Sequence, residues 1–337
     1  MYTTLWGIHA RNGNDNLVGE ALEVSPSHVT ILHLQGDHAR ELHDRIDGYL
    51  HVRMYLSKWS KWMPEDWAVA CVEAANRDRG GWSLLSLPRV LFSPANEQNL
   101  SVEGGGDDLG WYTVIDDWNY RWSVEFRRLT GCPKERLMWP ALAYGHGEEV
   151  GYAECKRSLA EYGMVGCHPY WYQPDQVCSE YYGHRFVLDH AATGLPIFIS
   201  EAGNFRITDP NTPNEYIEWF ESLYQYEYVL GATPFIRSSP DPGHASNDWS
   251  KNPELIRRVR EQSKRKVERS LHTNEGGTTM AYAVGPGILA KMAEQNDEPA
   301  SDEWYPRPEW ALAFGKSGNQ YVYLKETNVT SVFCPKA

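Results

Sequence analysis

Two glutamates stand out for the company they keep. Glu97 lies in the stretch RVLFSPANEQN, residues 89–99, where a short apolar run from Val90 to Phe92 stops at the polar tip Asn96-Glu97-Gln98-Asn99. Glu201 lies in a second stretch of the same form, LPIFISEAG, residues 195–203. An apolar run of that length between turn residues is the pattern of a strand buried on both faces. The carboxyl end of such a strand is where parallel α/β folds place their chemistry. Cleavage of a glycosidic bond needs a group to protonate the leaving oxygen and a second carboxylate on the other side of the sugar. A lone strand-end glutamate is ordinarily a solvated loop residue. Two in matching contexts, far apart in sequence, point to a shared site.

The elements that must position this pair alternate along the chain. Strands are expected at Leu5–Ala10, Val29–Leu34, Tyr49–Tyr55, Val90 onward, Leu137–Ala143, Met164–Cys167, Ile197–Ser200 and Tyr228–Ile236. Helical patterns fall between them. One begins at Leu17, and Asp37 is expected to cap the next, through Ala39, Leu42 and Ile46. Pro64 opens a third, with Glu65 and Asp66 in its first turn. Asp116 or Asp117 is expected to cap a fourth, through Trp118, Trp122, Phe126 and Leu129. Tyr152, Cys155, Leu159 and Tyr162 share helical spacing, and a further helix spans roughly 180–192. Thr212-Pro213-Asn214-Glu215 has the form of a capping box, and Asn252-Pro253-Glu254 starts a last helix.

Eight strands alternating with about eight helices in about 270 residues predict an α/β fold of the (β/α)8 TIM-barrel type. A doubly wound open sheet would usually carry a Gly-rich turn after the first strand, and the sequence has none. In a barrel, strands 4 and 7 face each other across the mouth, so Glu97 and Glu201 would flank one cavity. The division expected is a catalytic barrel over 1–270, a Gly/Thr-rich linker over 271–287 and a small accessory module over 288–337. That module carries a hairpin of Trp310–Phe314 with Gln320–Leu324. It is too small to stand alone and is expected to dock on the barrel.

Composition narrows the function. A net charge of −13 over 337 residues argues against a nucleic-acid partner. No apolar run approaches the length of a membrane span. The opening MYTTLWGIHA lacks a basic segment followed by an apolar one, so no leader peptide is expected here; localisation stays open, and action outside the cell would need a leader removed upstream. The six cysteines show no CxxC pair and are expected to be free buried thiols. The run Gly104–Gly106 precedes aspartates rather than a helix start, which speaks against phosphate. With 14 Trp, 20 Tyr and 9 Phe, the chain is rich in rings. Those near strand ends and in loops, Trp59, Trp82, Trp111, Trp171, Tyr172 and Trp249, could stack on sugars or fill the core.

Other side chains fall at the same strand ends. Arg53 closes strand 3 and could hold Glu201 ionised or form a structural ion pair. His9 and His33 end strands 1 and 2, where a lone histidine is more often structural. Phe235, Ile236 and Arg237 stand at the end of strand 8. Metal-dependent barrel hydrolases usually show His-x-His on strand 1; here His9 stands alone, and His146-Gly147-Glu148 reads as a loop contact. No metal and no cofactor is expected.

Ser-Pro-Ala-Asn-Glu on strand 4 and Phe-Ile-Ser-Glu-Ala-Gly on strand 7 resemble the signatures of the clan A glycoside hydrolases, retaining enzymes on (β/α)8 barrels. The resemblance spans roughly Thr3 to Arg260. It implies that Glu97 is the acid/base, that Asn96 hydrogen-bonds a sugar 2-hydroxyl and that Glu201 is the nucleophile. It also places His168-Pro169-Tyr170-Trp171 at the aromatic end of strand 6, with Tyr170 contacting the nucleophile. Two positions depart from the clan: Gln98 stands where proline often follows the acid/base, and strand 8 lacks its usual terminal tryptophan.

The activity so implied is retaining hydrolysis of a β-linked oligo- or polysaccharide, with an internal cut favoured by the loop aromatics. Glu97 and Glu201 would be catalytic, and Asn96, Arg53, His168, Tyr170, Trp171, Trp59, Trp249 and Arg237 would bind substrate. An inactive glycan-binding barrel and a metal-dependent hydrolase remain the competing readings. The sequence does not fix an oligomeric state.

Overall fold

The computed structural model describes residues 2–10, 16–32, 36–76, 84–106, 109–143 and 148–262, with the short pieces 267–268, 283–284, 321–322, 331–332 and 334–335. Strands β1 (Gly7–His9), β2 (His28–Leu32), β3 (Leu50–Arg53) and β4 (Val90–Ser93) form one parallel sheet in that order. Strands β5 (Met138–Trp139), β6 (Met164–Cys167), β7 (Ile197–Ile199) and β8 (Val229–Ala232) form a second. A parallel bridge between Phe92 and Leu137 joins β4 to β5. At the other seam Ala232 N donates to Leu5 O (3.1 Å) and His9 N to Pro234 O (2.9 Å). Hydrogen bonds therefore link every neighbour around the ring, and the eight-stranded barrel predicted from the alternation is the fold observed.

Among the described residues, nine helices surround it: α1 (Leu17–Leu22), α2 (Gly36–Arg45), α3 (Pro64–Asn76), α4 (Leu109–Thr130), α5 (Glu148–Glu154), α6 (Lys156–Leu159), α7 (Phe186–Thr193), α8 (Thr212–Leu223) and α9 (Pro253–Gln262). Three caps differ from expectation. Helix α2 begins at Gly36, so Asp37 lies within its first turn rather than capping it. Helix α4 starts a full two turns before Asp116, so neither aspartate caps it. Asp116 Oδ1 instead accepts from Ser158 N in the first turn of α6 (2.7 Å), and Asp117 pairs with Arg157 (3.1 Å). In α8 the N-cap is Asn211, and the Thr212 hydroxyl donates to Arg206 O (2.8 Å). A short polar side chain caps whichever orphan N–H the tertiary fold brings near, and a local motif cannot see across helices.

The core has two parts. Between strands and helices lies the larger one, rich in tryptophan. Inside the barrel lies a smaller apolar plug of Tyr49, Leu91, Met138, Met164, Phe198 and Leu230. A polar layer adjoins it: Thr30 Oγ1 lies 2.7 Å from Thr233 Oγ1 and 3.1 Å from His51 Nδ1, and His51 Nε2 lies 2.8 Å from Ser93 Oγ. At the base, His28 fills a pocket that only glycine leaves open. A Cβ on Gly231 would sit 2.7 Å from its ring, and one on Gly48 2.6 Å.

Of the expected linker only 283–284 is described, and of the accessory module only 321–322, 331–332 and 334–335. Tyr321–Val322 pairs antiparallel with Cys334–Pro335, and Ala283–Val284 with Ser331–Val332. The expected partner strand at 310–314 lies outside the described residues, as do His33, Trp82 and His146. No helix among the described residues is long and apolar enough to cross a membrane. Cys71, Cys132, Cys155 and Cys167 are free and buried, and Cys178 is free and exposed.

Candidate active site

Four side chains converge at the carboxyl ends of the strands. Arg53 is the last residue of β3, and Glu97 follows β4 by four residues. His168 directly follows β6, and Glu201 follows β7 by two. One oxygen each of Glu97 and Glu201 and one nitrogen of His168 lie within 4.8 Å of one another. His168 Nδ1 is 2.9 Å from Glu97 Oε1 and 3.8 Å from Glu201 Oε2. Arg53 pairs with Glu201, and its second amino group lies 3.2 Å from His168 Nε2. The Tyr170 hydroxyl donates to Glu201 Oε2 (2.8 Å).

The network fixes the imidazole's tautomer. A guanidinium can only donate, so His168 Nε2 accepts from Arg53, with Ser200 Oγ also 3.0 Å from it. The ring proton then sits on Nδ1 and is donated to Glu97.

Charge is distributed unevenly between the two carboxyls' surroundings. Burial by itself would raise the Glu201 carboxyl, but the guanidinium of Arg53 paired with it outweighs burial and holds the group well below its usual range. Glu201 is thus kept ionised. Burial, with Glu201 and Glu97 nearby, pushes the Tyr170 phenol well up, so it remains a donor.

His9, at the end of β1, is 2% exposed, and neither ring nitrogen has a hydrogen-bond partner among the described residues. Burial and the nearby Arg53 push its pKa down to about 3, so the ring is neutral. Phe235 packs on it with ring centroids 5.1 Å apart.

The loop after β4 is anchored from below. Gln98 and Asn99 are buried; Asn119 Nδ2 donates to Gln98 Oε1 (2.6 Å), and Asn99 exchanges two hydrogen bonds with the Ala143 backbone. The three glycines serve close packing rather than phosphate. Gly104 has a φ of +101°, and a Cβ on Gly105 would collide with Gln98 O.

Glu97, His168 and Glu201 could also hold a divalent cation. Against that, Arg53 already places a positive charge on Glu201 and beside His168, where a second cation would be repelled.

A scan against models of known protein families finds no match, and a search of curated proteins finds none either. Solved structures do resemble the chain. A β-D-glucuronidase from Dictyoglomus thermophilum aligns at a TM-score of 0.53 and 11% identity, over 80% of this chain and 52% of that one. A GH128 endo-β-1,3-glucanase from Amycolatopsis mediterranei, solved with laminaritriose, aligns at 0.48 and 11%, over 76% and 98%. A β-glucuronidase from Bacteroides uniformis aligns at 0.49 and 14%, over 69% and 30%. The first likeness is one of fold: the chain shares its barrel.

Several candidates from the sequence do not reach the site. Trp59, Trp171 and Trp249 are each 0% exposed and pack in the outer core. A ring without accessible surface has no face to offer a sugar. Trp59 Nε1 donates to Gln98 O (3.1 Å), and Trp171 Nε1 to Glu215 Oε2 (2.9 Å), so each braces a loop from behind. Arg237 turns away from the mouth, to the Glu20 carbonyl (3.1 Å) and the Glu23 carboxylate on and beside α1. Arg53, His168 and Tyr170 do gather around Glu97 and Glu201. Asn96 stands next to them, its amide donating to Glu103 Oε1 (3.2 Å) and its Oδ1 buried without a partner among the described residues.

Sequence reasoning passed over Glu103. It lies half-buried in the long loop after Glu97, and burial raises its carboxyl, with the nearby Glu97 adding to the rise. The length of that loop was the available signal. Ser200 was also missed, because a serine beside a glutamate carries no pattern of its own.

Proposed function

We propose that the protein is a retaining glycoside hydrolase acting on a β-linked glycan. Glu201 is the nucleophile and Glu97 the acid/base, as the resemblance to clan A implies. One observation carries the reading: oxygens of the two carboxylates lie within 4.8 Å of each other. Retaining enzymes hold their carboxyl groups about 5–5.5 Å apart, whereas inverting ones need roughly 6.5–9.5 Å to admit a water.

The steps follow from the contacts. Glu201, kept ionised by Arg53, attacks the anomeric carbon, while Glu97 protonates the departing oxygen. His168 occupies Glu97 Oε1, which leaves Oε2 to carry that proton. As the glycosyl–enzyme ester forms, Glu201 loses its charge and Glu97 gains one. Glu97 then takes a proton from water, and the water attacks the same carbon from the side the leaving group vacated. Tyr170 and Arg53 hold the Glu201 oxygens in place throughout. An internal cut in a polysaccharide is the form of the reaction we favour. Tyr55 beyond β3 and Tyr172 beyond β6 are exposed near the mouth, which suits a chain running past the cut bond.

Glu97→Gln and Glu201→Gln test the proposal against a panel of β-glucans, mannans and xylans. Glu97→Gln is expected to lose about 10²–10⁴-fold in kcat, and Glu201→Gln at least about 10⁴-fold, both with unchanged circular dichroism. NMR of the first product should show the anomeric configuration retained. Unimpaired turnover in either variant, or an inverted product, overturns the reading.

A further inference from the structure

Beyond β6 the chain runs through a short strand, Tyr170–Trp171, that pairs in parallel with Gly203–Asn204 beyond β7. Side chains alternate across such a pair, so Trp171 and Asn204 share one face while Tyr170, Tyr172 and Phe205 share the other. The contacts bear this out. Trp171 Nε1 and Asn204 Nδ2 both donate to buried Glu215 Oε2, at 2.9 and 2.5 Å. On the opposite face Phe205 stacks on Tyr170 (5.0 Å, 28°) and on Tyr172 (4.9 Å, 18°).

The three rings form one strip. Its inner end is Tyr170, whose hydroxyl reaches Glu201; its outer end is Tyr172, 48% exposed. The backbone that carries the outer ring is also pinned. Tyr172 N donates to Gln176 Oε1 (2.8 Å), and so does Gln173 N (3.0 Å). An exposed ring so braced loses little freedom when something flat covers it.

We propose that Tyr172, backed by Phe205, is a stacking platform for a pyranose ring of the glycan, adjacent to the ring cleaved at Glu201. The inference rests on the glycosidase reading given above. It replaces Trp171 with its neighbour, for a reason of pleat: Tyr170 and Tyr172 point the same way, and Trp171 points into the core.

The test compares Tyr172→Ala and Tyr172→Phe with the parent protein on short and long laminari-, cello- and manno-oligosaccharides. For Tyr172→Ala, KM is expected to rise about fivefold on the long members and less on the shortest, with kcat on the long members held within about twofold. Tyr172→Phe, which keeps the ring, should behave like the parent. Equal loss at every chain length, no loss at all, or the same loss in Tyr172→Phe would overturn the platform and leave the glycosidase reading intact. If the parent cleaves none of these sugars, the reading itself falls. Calorimetry of the same oligosaccharides with Glu97→Gln, with and without Tyr172→Ala, then decides the platform: weaker binding of long members alone supports it, and equal binding sinks it.

Discussion

The barrel buries a histidine at each end, and the two differ in a telling way. At the base, His28 uses both nitrogens: Nε2 lies 2.9 Å from Thr4 O, and Nδ1 accepts from Tyr49 N at 3.0 Å. Glycines are shaped around its ring, and the apolar plug lies against it through Tyr49 and Phe198. At the mouth, His9 is equally buried, yet both its nitrogens lack partners among the described residues, and so does Asn96 Oδ1 nearby. A buried polar group without a partner costs stability. The His28 site is built as a finished structure. The mouth keeps hydrogen-bonding capacity open for something that arrives later.

On that contrast, damage at the base should register as stability and damage at the mouth as activity. Phe198→Ala empties the plug and should cost about 3–5 kcal/mol in denaturant unfolding. The acidic limb of its pH–rate profile should stay in place. A smaller effect of the other kind is expected for Arg53→Gln: a loss of about 10²–10³-fold in kcat. Without the guanidinium the Glu201 carboxyl rises, so the acidic limb of the pH–rate profile should move to higher pH. If Arg53→Gln instead lowers stability and leaves that limb unmoved, the mouth is structural after all.

A still weaker effect should come from pH alone. Burial pushes His9 down to about 3 and His28 and His184 down to about 4. In the unfolded chain each takes a proton near 6.5. Between pH 6.5 and 4 the unfolded state therefore binds more protons, and stability falls as pH drops through that window. Glu201 adds its own loss further down, below the usual carboxylate range, because its folded carboxyl is depressed. The melting temperature should fall by at least about 5 °C from pH 7 to pH 4.5. A flat profile would mean that these rings are not neutral in the fold.

Much of this was legible in the sequence. Each of the eight barrel strands falls within one residue of an expected run; β6 coincides with its run, and β1, β3, β5, β7 and β8 stop short of theirs, because the last residues leave the sheet to line the mouth. Arg53, Glu97 and Glu201 were visible as polar residues at the ends of apolar runs. Trp59, Trp171 and Trp249 misled, since composition marks a large ring as able to stack but says nothing of which way it faces. The start of α4 was missed because Asp116 and Asp117 look like caps; their partners are Ser158 N and Arg157, on another helix.

The chain's own pattern decided the fold class and nominated the two carboxylates, because burial on both faces of a strand leaves a periodic trace that ends where chemistry can begin. Only the tertiary structure decided how close those carboxylates come, which nitrogen of His168 carries the proton, and that Tyr172 rather than Trp171 meets solvent. Distance, tautomer and facing depend on side chains from different strands meeting across the mouth, and no local stretch of sequence encodes such a meeting.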